Sequence, residues 1–428
     1  MNDKVNIKIV LIGIFIAALA LRIAGPYVRE TVIIHHPFNY VNEDLFKSSE
    51  NDEILYNFTA KAILEGKGFS INFDEVEKTS ANYIKLKGEF PNITKAFVKM
   101  AKPKKDAPGY YSHMIFSPLY PTMLAGCYFL FGENTLAYFL PQAVLGALTC
   151  LIIFFIAELL FDRKTALLAS IFVALYPDLI FWTYMARVET LFTFLLTLGV
   201  YFLLKGKKMD SPFILYAGGA AFGLACLTKI TIIFFLPFVV LWPLMFVEDR
   251  RKGLFRSMLM LFILIGALFP WALRNYLVLN EFTMFSSETG TILMDKVPIS
   301  NVSGSSFSIL SQFVGYVSQN IPAFGMQCVN RGLKFLGPIT PPMADYAKLY
   351  KLITWLVIFP LFFCGIFLAI KNAWQKNSLL VALITYYFLL HAATFVDDGL
   401  VYRYPIQPFL CIYAASAFYG IIRQNIFK

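Results

Sequence analysis

Apolar residues recur along this chain in runs of about 20, the length a helix needs to cross the roughly 30 Å hydrocarbon core of a bilayer, and polar residues collect in the gaps between them. The pattern predicts ten spans, at about 7–28, 135–160, 165–184, 189–205, 212–228, 231–247, 257–276, 350–370, 378–395 and 404–422. The first run is too long for a removable signal peptide and has no small-residue cleavage site, so it reads as a retained helix. Two longer polar segments interrupt the series, at about 29–134 and 277–349. Inside the first, 52–66 and 117–132 read as short helices lying in the membrane interface. The former offers Ile54, Leu55, Phe58, Ala62 and Ile63 to an apolar face. The latter opens S-P-L-Y-P, where Pro118 and Pro121 suit a helix start because the missing backbone donors cost little there. Residues 70–115 are polar and Lys-rich and are expected to form a small cap outside the membrane.

Composition agrees with lipid as the main solvent. The chain has 428 residues, of which 58% are hydrophobic and 15% charged, against about 25% charged in soluble domains. Residues 1–428 therefore read as one all-α polytopic membrane domain instead of two or three soluble ones, with the bilayer as partner and no nucleic acid. Net charge is +10, and its distribution sets the sidedness. Ten spans put both termini on one side. The short connections there carry Lys207, Lys208, Arg250, Arg251, Lys252, Lys371 and Lys376, and these basic residues outnumber the acids around them. The positive-inside rule then places both termini in the cytoplasm and the two long segments outside. Cys127, Cys150, Cys226, Cys328, Cys364 and Cys411 are scattered without metal or redox spacing, and all but Cys328 fall in apolar runs, as small buried hydrophobes would.

This topology gathers ionisable residues at the outer ends of the spans. Asp52 and Glu53 lead the first outer helix; Arg187 and Glu189 flank the turn before the fourth span; Lys229 lies between spans five and six; Arg274 ends span seven; Asp397, Asp398 and Arg403 lie between spans nine and ten. A charge near membrane depth costs about 2.5–3.5 kcal/mol on insertion scales, so such residues face a wet cavity or a partner. Lys and Arg can hold a lipid phosphate whose tail stays in the bilayer. A carboxylate opposite them can take a proton from an acceptor hydroxyl, and cations stabilise a departing phosphate. Simpler roles exist for each. Asp52 and Glu53 suit the dipole of a helix start, Lys229 and Arg274 could snorkel, Arg187 and Glu189 could simply pair, and Asp397 and Asp398 could be solvated. His35 and His36 read as surface residues, not metal ligands. Asn57, Asn92 and Asn301 begin glycosylation-type triplets, which matter only in a compartment that uses them. No metal spacing is present, although a carboxylate pair can recruit a divalent ion together with a substrate phosphate.

These residues, in order, resemble the GT-C glycosyltransferases related to protein O-mannosyltransferases and lipid A aminoarabinose transferases. The D-E-x-x-Y followed by G-x-G-F is matched by Asp52, Glu53, Tyr56, Gly66, Gly68 and Phe69. The interfacial P-x-x-Y-P-type helix is similar to Ser117–Pro121, which includes Tyr120. Arg187-Val188-Glu189-Thr190-Leu191-Phe192 resembles R-x-E-P-L-F, Gly223 to Lys229 resembles G-L-A-x-L-T-[RK], Pro270 to Tyr276 resembles P-W-x-x-R-N-Y, and Tyr402 to Pro405 resembles the late R-Y-x-x-P segment. The resemblance implies a GT-C-like bundle, a polyprenyl-phosphate-linked monosaccharide as donor, and inversion at the sugar carbon. It also implies Asp52 as catalytic carboxylate with Glu53 beside it. Lys229 and Arg274 are the implied candidates for the donor phosphate, and Arg187, Glu189, Tyr56, Tyr120 and Arg403 join them as substrate-binding candidates. Thr190 stands where the family often has Pro, the first outer loop is unusually long, and the chain ends soon after the tenth span. The sugar and the acceptor, whether lipid, glycan or protein, stay open. A polymerase or ligase using lipid-diphosphate-linked glycans and a lipid or sugar transporter are the alternatives. A transporter would place its charges near the midplane.

Overall fold

The computed structural model describes residues 7–33, 51–76, 101–284, 314–315, 317–338, 345–394 and 402–426. His35, His36, Asn92, Asn301, Asp397 and Asp398 lie outside the described residues, as does most of the expected cap. The chain is an integral membrane protein, all-α apart from one small sheet. In order it forms α1 (Ile7–Ile33), α2 (Asn51–Leu64), β1 (Ser70–Asn72), β2 (Lys102–Pro103), β3 (Tyr110–Ser112), α3 (Leu119–Phe131), α4 (Thr135–Leu160), α5 (Arg163–Leu175), α6 (Pro177–Phe181), α7 (Glu189–Met209) and α8 (Pro212–Thr228). There follow α9 (Leu236–Leu241) between two 3-10 turns, α10 (Arg250–Leu279), α11 (Ile321–Leu336), α12 (Asp345–Ala393) and α13 (Gln407–Ile426).

By length and composition six helices among the described residues can cross a membrane, or seven if the bent pair Arg163–Leu175 and Pro177–Tyr184 is one span. Several of the ten expected runs are bent or shortened for definite reasons. Pro177 starts a new helix after α5, and the two are bent by 57°. The expected spans at 212–228 and 231–247 are too short to qualify, and the second is a broken series of 3-10 and α turns around Pro237 and Pro243. The expected eighth and ninth spans are the two arms of α12, whose helix breaks between them at Ala373 (φ −153°, ψ 48°).

The basic connections gather at one end of the bundle. Lys207 Nζ donates to Gln375 O at 3.1 Å, Arg256 pairs with Asp210 at 2.5 Å, and Lys164 lies 5.8 Å from the Tyr419 ring centroid. At that end Asp162 caps α5 and Asp249 caps α10 through their side chains, satisfying first-turn N–H groups. Small residues let α7 and α8 pack closely, since a Cβ on Gly199 would lie 2.8 Å from the Phe222 ring and one on Gly218 would lie 2.9 Å from Leu203. Four cysteines are buried as expected, but Cys364 is exposed on the outward face of α12.

At the other end, the first loop packs α2 against α3 and adds a sheet of order β1-β3-β2, all antiparallel. Gly66 and Gly68 take φ of +73° and +64°, which side-chain-bearing residues rarely adopt; this turns the chain sharply from α2 into β1.

Candidate active site

α7 and α8 are antiparallel neighbours, so the first turn of α7 meets the last turn of α8. Glu189 begins α7 and Lys229 follows α8, and the geometry brings them together although they are 40 residues apart in sequence. Glu189 is 1% exposed. Its Oε1 is 3.3 Å from Lys229 Nζ and its Oε2 is 3.4 Å from Arg187 Nε. Arg187 also sits 5.0 Å from the centre of the Trp182 ring, and Lys229 sits 5.7 Å from that of Tyr402. Two cations against one carboxylate leave this triad with a net positive charge. A buried carboxylate needs such pairing, because an isolated one would not remain ionised.

The acidic loop reaches the triad through Tyr120. Asp52 lies in the first turn of α2, and its side chain lies outside the described residues. Glu53 is half-buried. Tyr56, one turn on, packs 4.4 Å from Phe116 and 5.0 Å from Tyr120, measured between ring centres. Tyr120 is fully buried, and burial, reinforced by the Glu53 and Glu189 charges, pushes its hydroxyl well above the usual phenol range. Tyr120 therefore senses both carboxylates. Its hydroxyl donates to Gln142 Oε1 at 3.4 Å, and Gln142 Nε2 donates to Met185 O at 2.8 Å and Thr183 O at 3.3 Å. Gln142 thus ties the interfacial helix to the turn that presents Arg187 and Glu189.

Arg274 lies where α10 meets the first loop. Its Nη1 donates to His113 O at 2.8 Å and Asn275 Oδ1 at 3.1 Å, and its Nη2 donates to Phe69 O at 2.8 Å. The guanidinium lies 5.0 Å from the Trp271 ring centre, and Trp271 meets Phe69 edge-on at 5.1 Å. The G-x-G-F and P-W-x-x-R-N-Y segments are therefore one contact, in which Arg274 clamps the first loop to α10. Arg403 is also engaged by backbone: Nη1 donates to Phe335 O and Gly337 O, each at 2.7 Å, at the end of α11. It borders a small cleft with Tyr176, Asp178, Lys351 and Trp355.

Several polar groups escaped the sequence reading. Asp178 is buried, pairs with Lys351 and accepts from Gln407 Nε2 at 2.9 Å. Arg22, 1% exposed within α1, donates to Ala18 O at 3.0 Å. A single Arg inside the first apolar run was a visible signal; Gln142 and Asp178 gave none, because their neighbours come from distant segments. His113 is fully buried: its Nδ1 accepts from the Ile115 N–H at 3.3 Å, and its Nε2 lies 3.1 Å from Thr59 Oγ1, which donates to Leu55 O. Burial, with the nearby Arg274 charge, pushes the His113 imidazole down to about 3. Asn57 of the first glycosylation-type triplet accepts from the Tyr128 hydroxyl inside α2. Among the described residues no three His, Cys, Asp or Glu side chains gather as metal ligands would.

The family described as dolichyl-phosphate-mannose-protein mannosyltransferase matches residues 116–273, from just before α3 to the Leu273 position within α10. No curated protein matches the chain. Among solved structures, the Archaeoglobus fulgidus oligosaccharyltransferase in its apo form shares 12% identity at a TM-score of 0.56, covering 99% of this chain and 51% of that one. The same enzyme in complex with an inhibitory peptide and a dolichol-phosphate shares 13% identity at 0.53, covering 97% and 50%. ArnT from Cupriavidus metallidurans bound to undecaprenyl phosphate shares 16% identity at 0.49, covering 95% and 58%. The chain spans about half the length of the oligosaccharyltransferase it resembles. The family match covers the middle of the chain, and the likeness to the oligosaccharyltransferase is one of fold, that of a polytopic membrane protein.

Proposed function

We propose that this protein transfers a monosaccharide from a polyprenyl-phosphate-linked donor to an acceptor hydroxyl, at the outer face of a bacterial inner membrane and with both termini in the cytoplasm. Asp52 takes the acceptor proton as the hydroxyl oxygen attacks the anomeric carbon, with Glu53 beside it. The bond from that carbon to the lipid phosphate breaks, and the phosphate leaves with the bonding pair, with inversion at carbon. Lys229 and Arg187, held in place by Glu189, offset the charge that develops on it. Tyr56 and Tyr120 shape the wall between the two groups. Arg274 acts at its clamp and Arg403 at its cleft, as longer-range positive charge.

The observation that carries this reading is the position of Tyr120, whose ring lies 5.0 Å from that of Tyr56 in the acidic helix and whose hydroxyl donates to Gln142, itself bonded to the Thr183 and Met185 carbonyls of the turn before Glu189. A base and a phosphate-holding cluster must share one pocket for group transfer, and here the acidic loop and the basic turn meet. The dolichol-phosphate in the similar oligosaccharyltransferase supports a lipid-phosphate carrier. The test is transfer from a polyprenyl-phosphate sugar by purified wild type and Asp52→Asn. Removing a general base costs roughly 10²–10⁴-fold in rate; full activity in a folded variant removes the role.

That same fold similarity favours a second reading, a lipid-linked oligosaccharide as donor. Mass analysis of the lipid-linked sugars that accumulate in a deletion strain separates the two.

A further inference from the structure

α11 divides into three sectors. At 3.6 residues per turn, one sector carries Arg331, Gly332 and Phe335, which are buried against the bundle. Phe335 packs on Phe388 at 5.7 Å and His391 at 5.2 Å between ring centres. A second sector, about 60° wide, carries Met326, Val329 and Leu333, exposed by 64%, 59% and 64%. The third carries Gln327, Asn330 and Lys334. A helix with one apolar sector against protein, another unoccupied and a polar sector beyond it is built for a boundary between oil and water.

We infer that α11 lies flat in the membrane interface, with Met326, Val329 and Leu333 sunk into the acyl region of the bilayer and Asn330 and Lys334 among headgroups and water. Two observations select lipid as the occupant. The exposed apolar sector runs on into the outward face of α12, where Leu349, Ile353 and Leu356 are 55%, 51% and 53% exposed on a membrane-spanning helix. The end of α11 is fixed to that helix by Trp355 Nε1 donating to Leu336 O at 2.7 Å, so the two faces hold a constant height. The contact also has a mechanical consequence. Arg403 holds the last carbonyls of α11, so the depth at which the helix floats sets the height of Arg403 and its cleft above the bilayer.

The experiment places nitroxide labels at Val329→Cys, Leu333→Cys, Asn330→Cys and Lys334→Cys in the full chain reconstituted in phosphatidylcholine–phosphatidylglycerol vesicles, with labelled wild type as blank for the native cysteines. Collision rates with oxygen, which concentrates in lipid, and with a water-soluble nickel chelate are compared. Labels at 329 and 333 are expected to favour oxygen several-fold over those at 330 and 334. Equal access to the nickel chelate at all four positions overturns the inference, since it places the apolar sector in water. Low access to both reagents at 329 and 333 also overturns it, because protein then covers the face. The measurement reads lipid contact alone, so its result is independent of which sugar or acceptor the protein uses.

Discussion

Replacing Glu189 by Gln keeps the shape of a buried side chain and removes the charge that two buried cations face. Lys229 and Arg187 lie 3.3 and 3.4 Å from its oxygens, and the three side chains are 10%, 6% and 1% exposed. At an effective dielectric near 20, a unit pair at 3.3 Å is worth about 5 kcal/mol, most of which offsets the desolvation of the charges. Breaking one side of such a cluster costs about 3–5 kcal/mol, because the cations stay buried without that counter-charge. For a chain of this length a loss of 1 kcal/mol lowers the melting temperature by about 1 °C, so Glu189→Gln should melt about 3–5 °C below wild type in lipid nanodiscs, followed by intrinsic fluorescence. Adding Lys229→Met removes one of the two buried cations and should recover part of the loss. If Glu189→Gln melts within 1 °C of wild type, or the double variant is no better than the single, the triad is not the compensated cluster described above.

Two further perturbations test the first loop. His113 is held neutral when folded, so the unfolded chain binds a proton the folded one excludes. Its contribution is intact above about pH 6.5 and is lost as pH falls toward about 3, at about 1.4 kcal/mol per unit within that window. Acid unfolding of wild type should be steeper than that of His113→Gln, and parallel curves would refute this. Arg274→Met removes three charge-assisted bonds to Phe69 O, His113 O and Asn275 Oδ1, each worth about 1.5–3 kcal/mol. The loop should open and trypsin should cut at Lys102 or Lys104 at least tenfold faster; an unchanged cleavage rate would show that the clamp does not hold the loop.

The chain's membrane character, its interfacial helices and the segregation of basic connections to one end could be read residue by residue, because each is a local pattern: run length, apolar spacing and charge count. The starts of α2 and α3 and the order of the motifs were legible on the same ground. What those motifs do to one another was not. Nothing in the spacing told that the Arg274 N–H groups bond Phe69 O and His113 O, some 160–205 residues earlier. Nor did the sequence single out Gln142, which packing places between Tyr120 and Met185. The bends within spans also escaped the pattern, since hydropathy measures solvent preference and does not register where proline breaks a helix. Partnership between distant side chains is settled when helices pack, and only the tertiary structure decides which cations meet a carboxylate and which meet backbone carbonyls.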